Sequence, residues 1–245
     1  MTYRYPHFDT HLMREGMRFR AGPRPSEEMP DFDLATVDGG RIAKSDFTGR
    51  VPLLLTMGSV TCPMTTAADR ALKRLYAQFR DRVAFVTLYV REAHPGERYP
   101  QPDRLERKIA HARDLKERDA LPWPVAVDTI DGTLHRRLDA KPNAAYLMDA
   151  RGRVAFRELW SDDREAVLRE ALADVLSGLS PVGERQGHVV PMLHGIAEMD
   201  RTLDMAGPTA RRDFRRAAPP VYAVARMAGL MHRRRPRERH QREAA

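Results

Sequence analysis

The 245-residue chain is 42% hydrophobic, carries a formal net charge of +8 and contains one cysteine. That length holds one good-sized domain with extensions or two small domains, and a single cysteine excludes an internal disulfide and any multi-cysteine metal site. No stretch reaches the roughly 18 consecutive apolar residues that announce a transmembrane helix; the opening residues (Tyr3, Arg4, Tyr5, His7) lack a secretory apolar region, so a cytoplasmic protein is expected.

The charge is unevenly spread. Residues 1–28 carry five basic and four acidic side chains, residues 29–178 carry 24 and 23, and residues 179–245 carry 13 and seven. The excess therefore sits in the C-terminal segment. These boundaries divide the chain into an N-terminal arm (1–28), a central domain (29–178) and a basic, Arg/Pro-rich extension (179–245). A nucleic-acid face needs clustered Lys and Arg, so nucleic acid is not expected as a partner of the electrostatically balanced domain.

In chain order, the arm has no clear period, although Leu12, Met13, Met17 and Phe19 suit one docking turn. Residues 31–37 alternate, Asp38-Gly39-Gly40 turns, and Arg41-Ile42-Ala43 resumes, which is a hairpin signal. An apolar strand over 51–57 ends at Gly58, and Ser59-Val60-Thr61-Cys62-Pro63 leads into a helix over 63–80 with Ala67, Ala71, Leu72, Leu75 and Phe79 at helical spacing. Proline suits a first helical turn because its missing N–H would be unpaired there anyway. The same helix start presents free N–H groups and a positive dipole end, which favour thiolate over thiol at Cys62.

Residues 83–90 form a near-continuous apolar run, as expected of a strand covered on both faces. Strand, helix and strand make a βαβ unit, so the two strand ends emerge at one sheet edge, where ligands of open α/β sheets bind. Glu92 and His94 follow the second strand and should arrive there beside Cys62. A charged helix over 103–118 is expected with Leu105, Ile109, Ala112 and Leu115 inward. A short strand at 125–128, a short helix at about 131–138, a hairpin over 144–157 and a helix over 162–177 complete the domain. His111, His188 and His194 read as surface residues, and Trp123 as packing.

The extension has apolar pieces at 189–197 and 221–231, the second running into His232-Arg233-Arg234-Arg235. Such a basic amphipathic end, 221–242, can lie on an anionic membrane, a nucleic acid or a partner; a solvated basic tail with a short docking helix is the plainer reading.

The order of elements resembles the thioredoxin-like fold, a central mixed sheet flanked by helices, with a redoxin-type N-terminal hairpin. The closer likeness is to the iodothyronine deiodinases. Gly58-Ser59-Val60-Thr61-Cys62-Pro63 resembles that family's active-site loop, with Cys62 where the vertebrate enzymes carry selenocysteine, and Glu92-Ala93-His94-Pro95 resembles its Glu-Ala-His segment. Val127-Asp128-Thr129 and Tyr146-Leu147 also fall where the family has similar pieces, so that the likeness covers roughly 31–177. Val60 stands where vertebrate members often have a second cysteine. Pro102 and Ala144 stand about where the family places a histidine and an arginine that grip iodothyronine, so the resemblance implies the chemistry more than the substrate. The resemblance makes Pro142 the candidate for the thioredoxin fold's cis-proline, although it sits one residue early against the usual redoxin pattern. Peroxiredoxins are less similar: Ser59 matches their motif, but Leu55 replaces its proline.

The resemblance implies Cys62, Glu92 and His94 as catalytic residues, with Gly58, Ser59, Thr61, Pro63, Thr65 and Thr66 around the substrate. The chemistry these residues suit is attack by the Cys62 thiolate on a soft electrophile, an aryl halide or a peroxide. Hydroxyls and loop N–H groups would stabilise the thiolate, and Glu92 and His94 would supply a proton. No cofactor is expected to be bound; with one cysteine in the chain, an external thiol must act as reductant. Three classes stay open: a deiodinase-like thiol oxidoreductase acting on a small-molecule substrate, a single-cysteine thiol peroxidase or redox sensor, and a non-catalytic binding module. A homodimer is a further expectation open to test.

Overall fold

A computed structural model describes residues 3–161, 165–186 and 189–233, apart from the side chains of 189–194 and 231–233. The first element is α1 (Thr10–Glu15), whose N-terminus is capped by the Asp9 carboxylate accepting from the Leu12 N–H at 2.9 Å. The arm is thus built rather than loose. The hairpin follows as β1 (Asp33–Thr36) and β2 (Arg41–Ala43), antiparallel, with Gly39 at φ 85 in the turn, where L side chains are strained.

The predicted βαβ unit is present as β3 (Leu53–Gly58), α2 (Pro63–Phe79) and β4 (Ala84–Tyr89). β3 and β4 are parallel, with Leu53 opposite Ala84 and Gly58 opposite Tyr89. That register ends both strands at the same level, and the Val90 N–H donates to the Gly58 carbonyl at 3.0 Å just beyond. The chain continues through α3 (Leu105–Arg118), β5 (Val125–Val127), α4 (Thr133–Arg137), β6 (Ala145–Met148), β7 (Val154–Glu158) and α5 (Glu165–Leu176). A short β8 (Gly183–Arg185), not expected from the sequence, pairs parallel with β7. The eight strands run in the order β2-β1-β5-β4-β3-β6-β7-β8.

Every residue of β3 is buried. Because side chains alternate along a strand, Leu53, Leu55 and Met57 pack on one face with Phe19, Phe32, Phe47, Leu134, Leu138 and Trp160. Leu54 faces the other side, where α2, α3 and α5 supply Leu72, Leu75, Leu115 and Leu172. The arm, Phe32 and Phe47 on either side of the β1–β2 hairpin, and α4 therefore cover one face, and α2, α3 and α5 cover the other; the hairpin itself forms one edge of the sheet. At α3 the inward stripe differs from expectation: Lys108 and His111 are buried with Ala112 and Leu115, while Leu105 is exposed. His111 is therefore not a surface residue. Its ring is drawn inward by a buried carboxylate partner described below. Trp123 is buried as packing, its indole N–H donating to Thr87 Oγ1 at 2.9 Å.

The extension folds into α6 (Val189–Ala206), α7 (Pro208–Ala217) and α8 (Pro219–Arg233). These helices form a third apolar cluster, including Met199, Leu203, Phe214 and Ala225, and the arm inserts Phe8 and Met13 into it. α6 lies close against α2: a Cβ at Gly195 would overlap the Met64 sulfur. The helical part of the extension is thus packed onto the domain through its apolar face. Its arginines reach inward as well, since Arg211 and Arg226 both donate to the buried Asp200 carboxylate, at 2.8 and 2.9 Å.

Candidate functional site

The site begins where β3 stops. Gly58 has no room for a side chain, because a Cβ there would lie 2.8 Å from Thr65 Cγ2. The loop then turns tightly, with the Cys62 N–H donating to the Ser59 carbonyl at 3.1 Å. Cys62 is the N-cap of α2, in extended conformation, with Pro63 in the first turn. The thiol is buried.

The second loop locks onto the first. The Ala93 N–H donates to Ser59 Oγ at 3.3 Å, and the His94 N–H to Thr61 Oγ1 at 3.2 Å. Thr61 in turn donates its hydroxyl to Glu92 Oε2 at 2.6 Å, and its N–H reaches the same oxygen at 3.3 Å. Glu92 is fully buried. Its other oxygen takes the Tyr89 hydroxyl and pairs with His111 Nδ1 at 3.0 Å. Gln101 clasps the Glu92 backbone from both sides, at 3.0 and 2.7 Å. From the end of α3, Arg118 donates to the Val60 carbonyl at 2.7 Å and Thr66 Oγ1 at 3.0 Å. Its fork is held by Asp119 at 2.7 and 2.6 Å. A buried carboxylate is tolerable only when hydrogen-bonded on this scale.

Next to this frame lies a cavity of about 600 Å³. Cys62, Pro63 and His94 line it. Gly58, Ser59, Thr61, Thr65, Thr66 and Glu92 do not. They form the frame that sets the loop: Thr65 packs over Gly58, and Thr66 takes the Arg118 bond. His94 is buried against Phe8 and Phe214, with ring centroids 4.3 and 5.3 Å away. Its Nδ1 has no hydrogen-bond partner among the described residues. Burial alone pulls its pKa down to about 3, so the imidazole is neutral at pH 7.

Leu12, Met13 and Met17 of the expected docking turn line the cavity as well; the other walls were not singled out by sequence reasoning. They come from the arm (Tyr3, Tyr5, Phe8), from Trp160, and from α6 and α7 (Met199, Phe214). The arm is fastened along its length. The Tyr3 hydroxyl pairs with His135 Nδ1 at 2.8 Å, Tyr5 donates to the Ala93 carbonyl at 3.1 Å, and Arg91 stacks on both tyrosine rings at 5.0 and 4.9 Å. Burial pushes the Tyr5 phenol up to about 12, against the opposing pull of Arg91, so it stays a neutral donor. Pro142 lines the cavity, but Ser180–Pro181 is the sole cis peptide among the described residues, so Pro142 does not take the cis-proline part. His188 and the His194 side chain lie outside the described residues.

A family model of iodothyronine deiodinases matches residues 11–158. Thyroxine 5-deiodinase of Gallus gallus is 34% identical over 113 residues, 42% of this chain and 43% of that protein. Type II iodothyronine deiodinase of Sus scrofa is 30% identical over 124 residues, 45% of this chain and 44% of that one. The chain thus spans less than half the length of these curated relatives. Among solved structures, a conserved protein from Geobacillus kaustophilus superposes with a TM-score of 0.55 at 18% identity, over 69% of this chain and 90% of that one. A protein described as thiol:disulfide interchange protein DsbE from Chlorobium tepidum does so with a TM-score of 0.51 at 18% identity, over 63% and 99%. The fold is thioredoxin-like, with redox proteins among its relatives. No described helix is long and apolar enough to cross a membrane. With more than half its length matched by the family model, the chain belongs to the iodothyronine deiodinase family.

Proposed function

We propose that this thiol-dependent redox protein is a reductive dehalogenase of aromatic compounds, with Cys62 as nucleophile and His94 as its proton partner. The single observation that supports this is the shared cavity: the one thiol of the chain and a neutral, buried imidazole line the same aromatic-walled space. Its volume falls within the roughly 300–1,000 Å³ of sites that enclose small organic ligands. A peroxide, about the size of a water at ~30 Å³, needs no such chamber.

His94 accepts the Cys62 proton as the thiolate sulfur bonds to the halogen. The carbon–halogen bond breaks, and its electron pair takes the proton back from the imidazolium. The arene is reduced to its C–H form, and the sulfur is oxidised to a sulfenyl halide. An external thiol then attacks that sulfur and expels halide with its proton. A second thiol resolves the mixed disulfide, returning Cys62 and a disulfide of the reductant. The helix start at Cys62 favours the thiolate. Glu92, outside the cavity, acts by holding Thr61 and so the loop.

The test is halide release from an iodinated phenol, and hydrogen peroxide consumption, each with dithiothreitol. Iodide release that Cys62→Ala abolishes and His94→Phe slows by about 10²-fold or more is the expected result. Peroxide turnover without iodide release would make the thiol-peroxidase reading the right one, and neither activity would remove both.

A further inference from the structure

The outward face of α8 has no role in the cavity chemistry. The helix is fixed by its inner side: Ala225 is buried, Gly229 lies where a Cβ would meet the Asp200 side chain at 2.7 Å, and Arg226 binds the same aspartate at 2.9 Å. Turned away from these contacts are Val224, Met227 and Leu230, at steps of three, with about half of each side chain exposed (46%, 57% and 48%). They are three of the five exposed large hydrophobic residues among those described, so the exposed apolar surface is concentrated on this helix.

The charge around this stripe is positive. Between Pro219 and Leu230 the lone charged side chain is Arg226, and it is committed inward. The helix then runs to Arg233, and the chain continues past it for twelve residues bearing Arg234, Arg235, Arg237, Arg239 and Arg242 against Glu238 and Glu243. α7 adds Arg212, Arg215 and Arg216, all exposed.

We propose that α8 lies flat on an anionic lipid surface, its Val224–Met227–Leu230 stripe among the acyl chains, drawn there by the net positive charge of the extension, 13 basic against seven acidic side chains. An uncharged apolar face continued by arginines is the pattern of an interfacial helix, and each basic residue near an anionic leaflet adds to the attraction. Three half-exposed side chains are too little surface for a second copy of the chain, since stable dimers bury about 1,200–2,000 Å². A nucleic acid would use the arginines and leave the apolar stripe without a role. The proposal stands apart from the chemistry at Cys62 and is tested without it.

The experiment is flotation of the full-length protein with phosphatidylcholine vesicles and with vesicles carrying about a third phosphatidylglycerol. The expected result is partitioning at least about tenfold stronger into the anionic vesicles, weakened by 0.5 M NaCl. Met227→Glu with Leu230→Glu should lower it about tenfold or more with an unchanged thermal midpoint, because both side chains are exposed. Equal binding by the charged variant, retention on RNA without retention on vesicles, or a dimer that the variant splits with no vesicle binding would each overturn the proposal.

Discussion

Burial holds the His94 imidazole neutral, and folding stability carries the signature. An unfolded histidine titrates near 6.5, whereas His94 in the fold titrates near 3, through desolvation. Between those values the unfolded chain binds a proton that the folded chain refuses. Stability is therefore highest above about pH 6.5 and falls as pH drops towards 3, by up to ~1.4 kcal/mol per pH unit from this residue. His94→Phe should flatten the fall of the urea midpoint between pH 6 and 4. His135, also buried and pulled down by desolvation, supplies a second such slope, so the wild-type loss should exceed one proton. Thr61→Val makes a separate prediction. It removes the 2.6 Å bond to the buried Glu92 oxygen, and urea unfolding should show a loss of about 1–3 kcal/mol. At this scale Cys62 and His94 were legible in the sequence, because a loop before a helix and a segment after the neighbouring strand must meet at one sheet edge. His111 was not. Its partner Glu92 is 19 residues away, and a histidine on a helix rich in Lys and Arg carries no mark of burial except its spacing from Leu115.

The βαβ unit, the hairpins and α5 could be read from apolar period and turn residues. The helices α6–α8 could be read only in fragments, since counting arginines does not reveal that Arg211 and Arg226 converge on one buried aspartate. How they roof the site depends on contacts between distant segments. One of the closest is at Gly96, just past His94, where a Cβ would collide with the Ala206 carbonyl at the end of α6. That obstacle is backbone and cannot swing aside. Gly96→Ala should lift this end of α6, destabilise the protein by about 1–3 kcal/mol and speed iodoacetamide alkylation of Cys62. Gly195→Ala meets the end of the flexible Met64 side chain instead, and alkylation should change little.

Taken whole, the molecule is a thioredoxin-like sheet whose Cys62 edge is covered by the N-terminal arm and by the helices of the extension. Tyr3, Tyr5 and Phe8 arrive from the arm, Met199 and Phe214 from α6 and α7. Phe8 packs on both His94 and Phe214, joining the two covers over the imidazole. Deleting residues 1–9 should open the chamber: Cys62 should alkylate about tenfold faster or more, and KM for an aromatic halide should rise more than kcat falls. Trp160 and the α6–α7 wall lie beyond the residues that the family model matches, which end at 158.

The most direct test of the central claim is a single turnover without reductant. Reduced protein is mixed with an excess of an iodinated phenol, and the deiodinated phenol, iodide and the mass of the Cys62 peptide are followed together. The expected result is a burst of one deiodinated phenol per protein with loss of the reduced Cys62 thiol, iodide release that starts once dithiothreitol is added and is then sustained, and none of these in Cys62→Ala. Deiodination at an undiminished rate by Cys62→Ala, or no deiodinated phenol while Cys62 stays a reduced thiol, would contradict it.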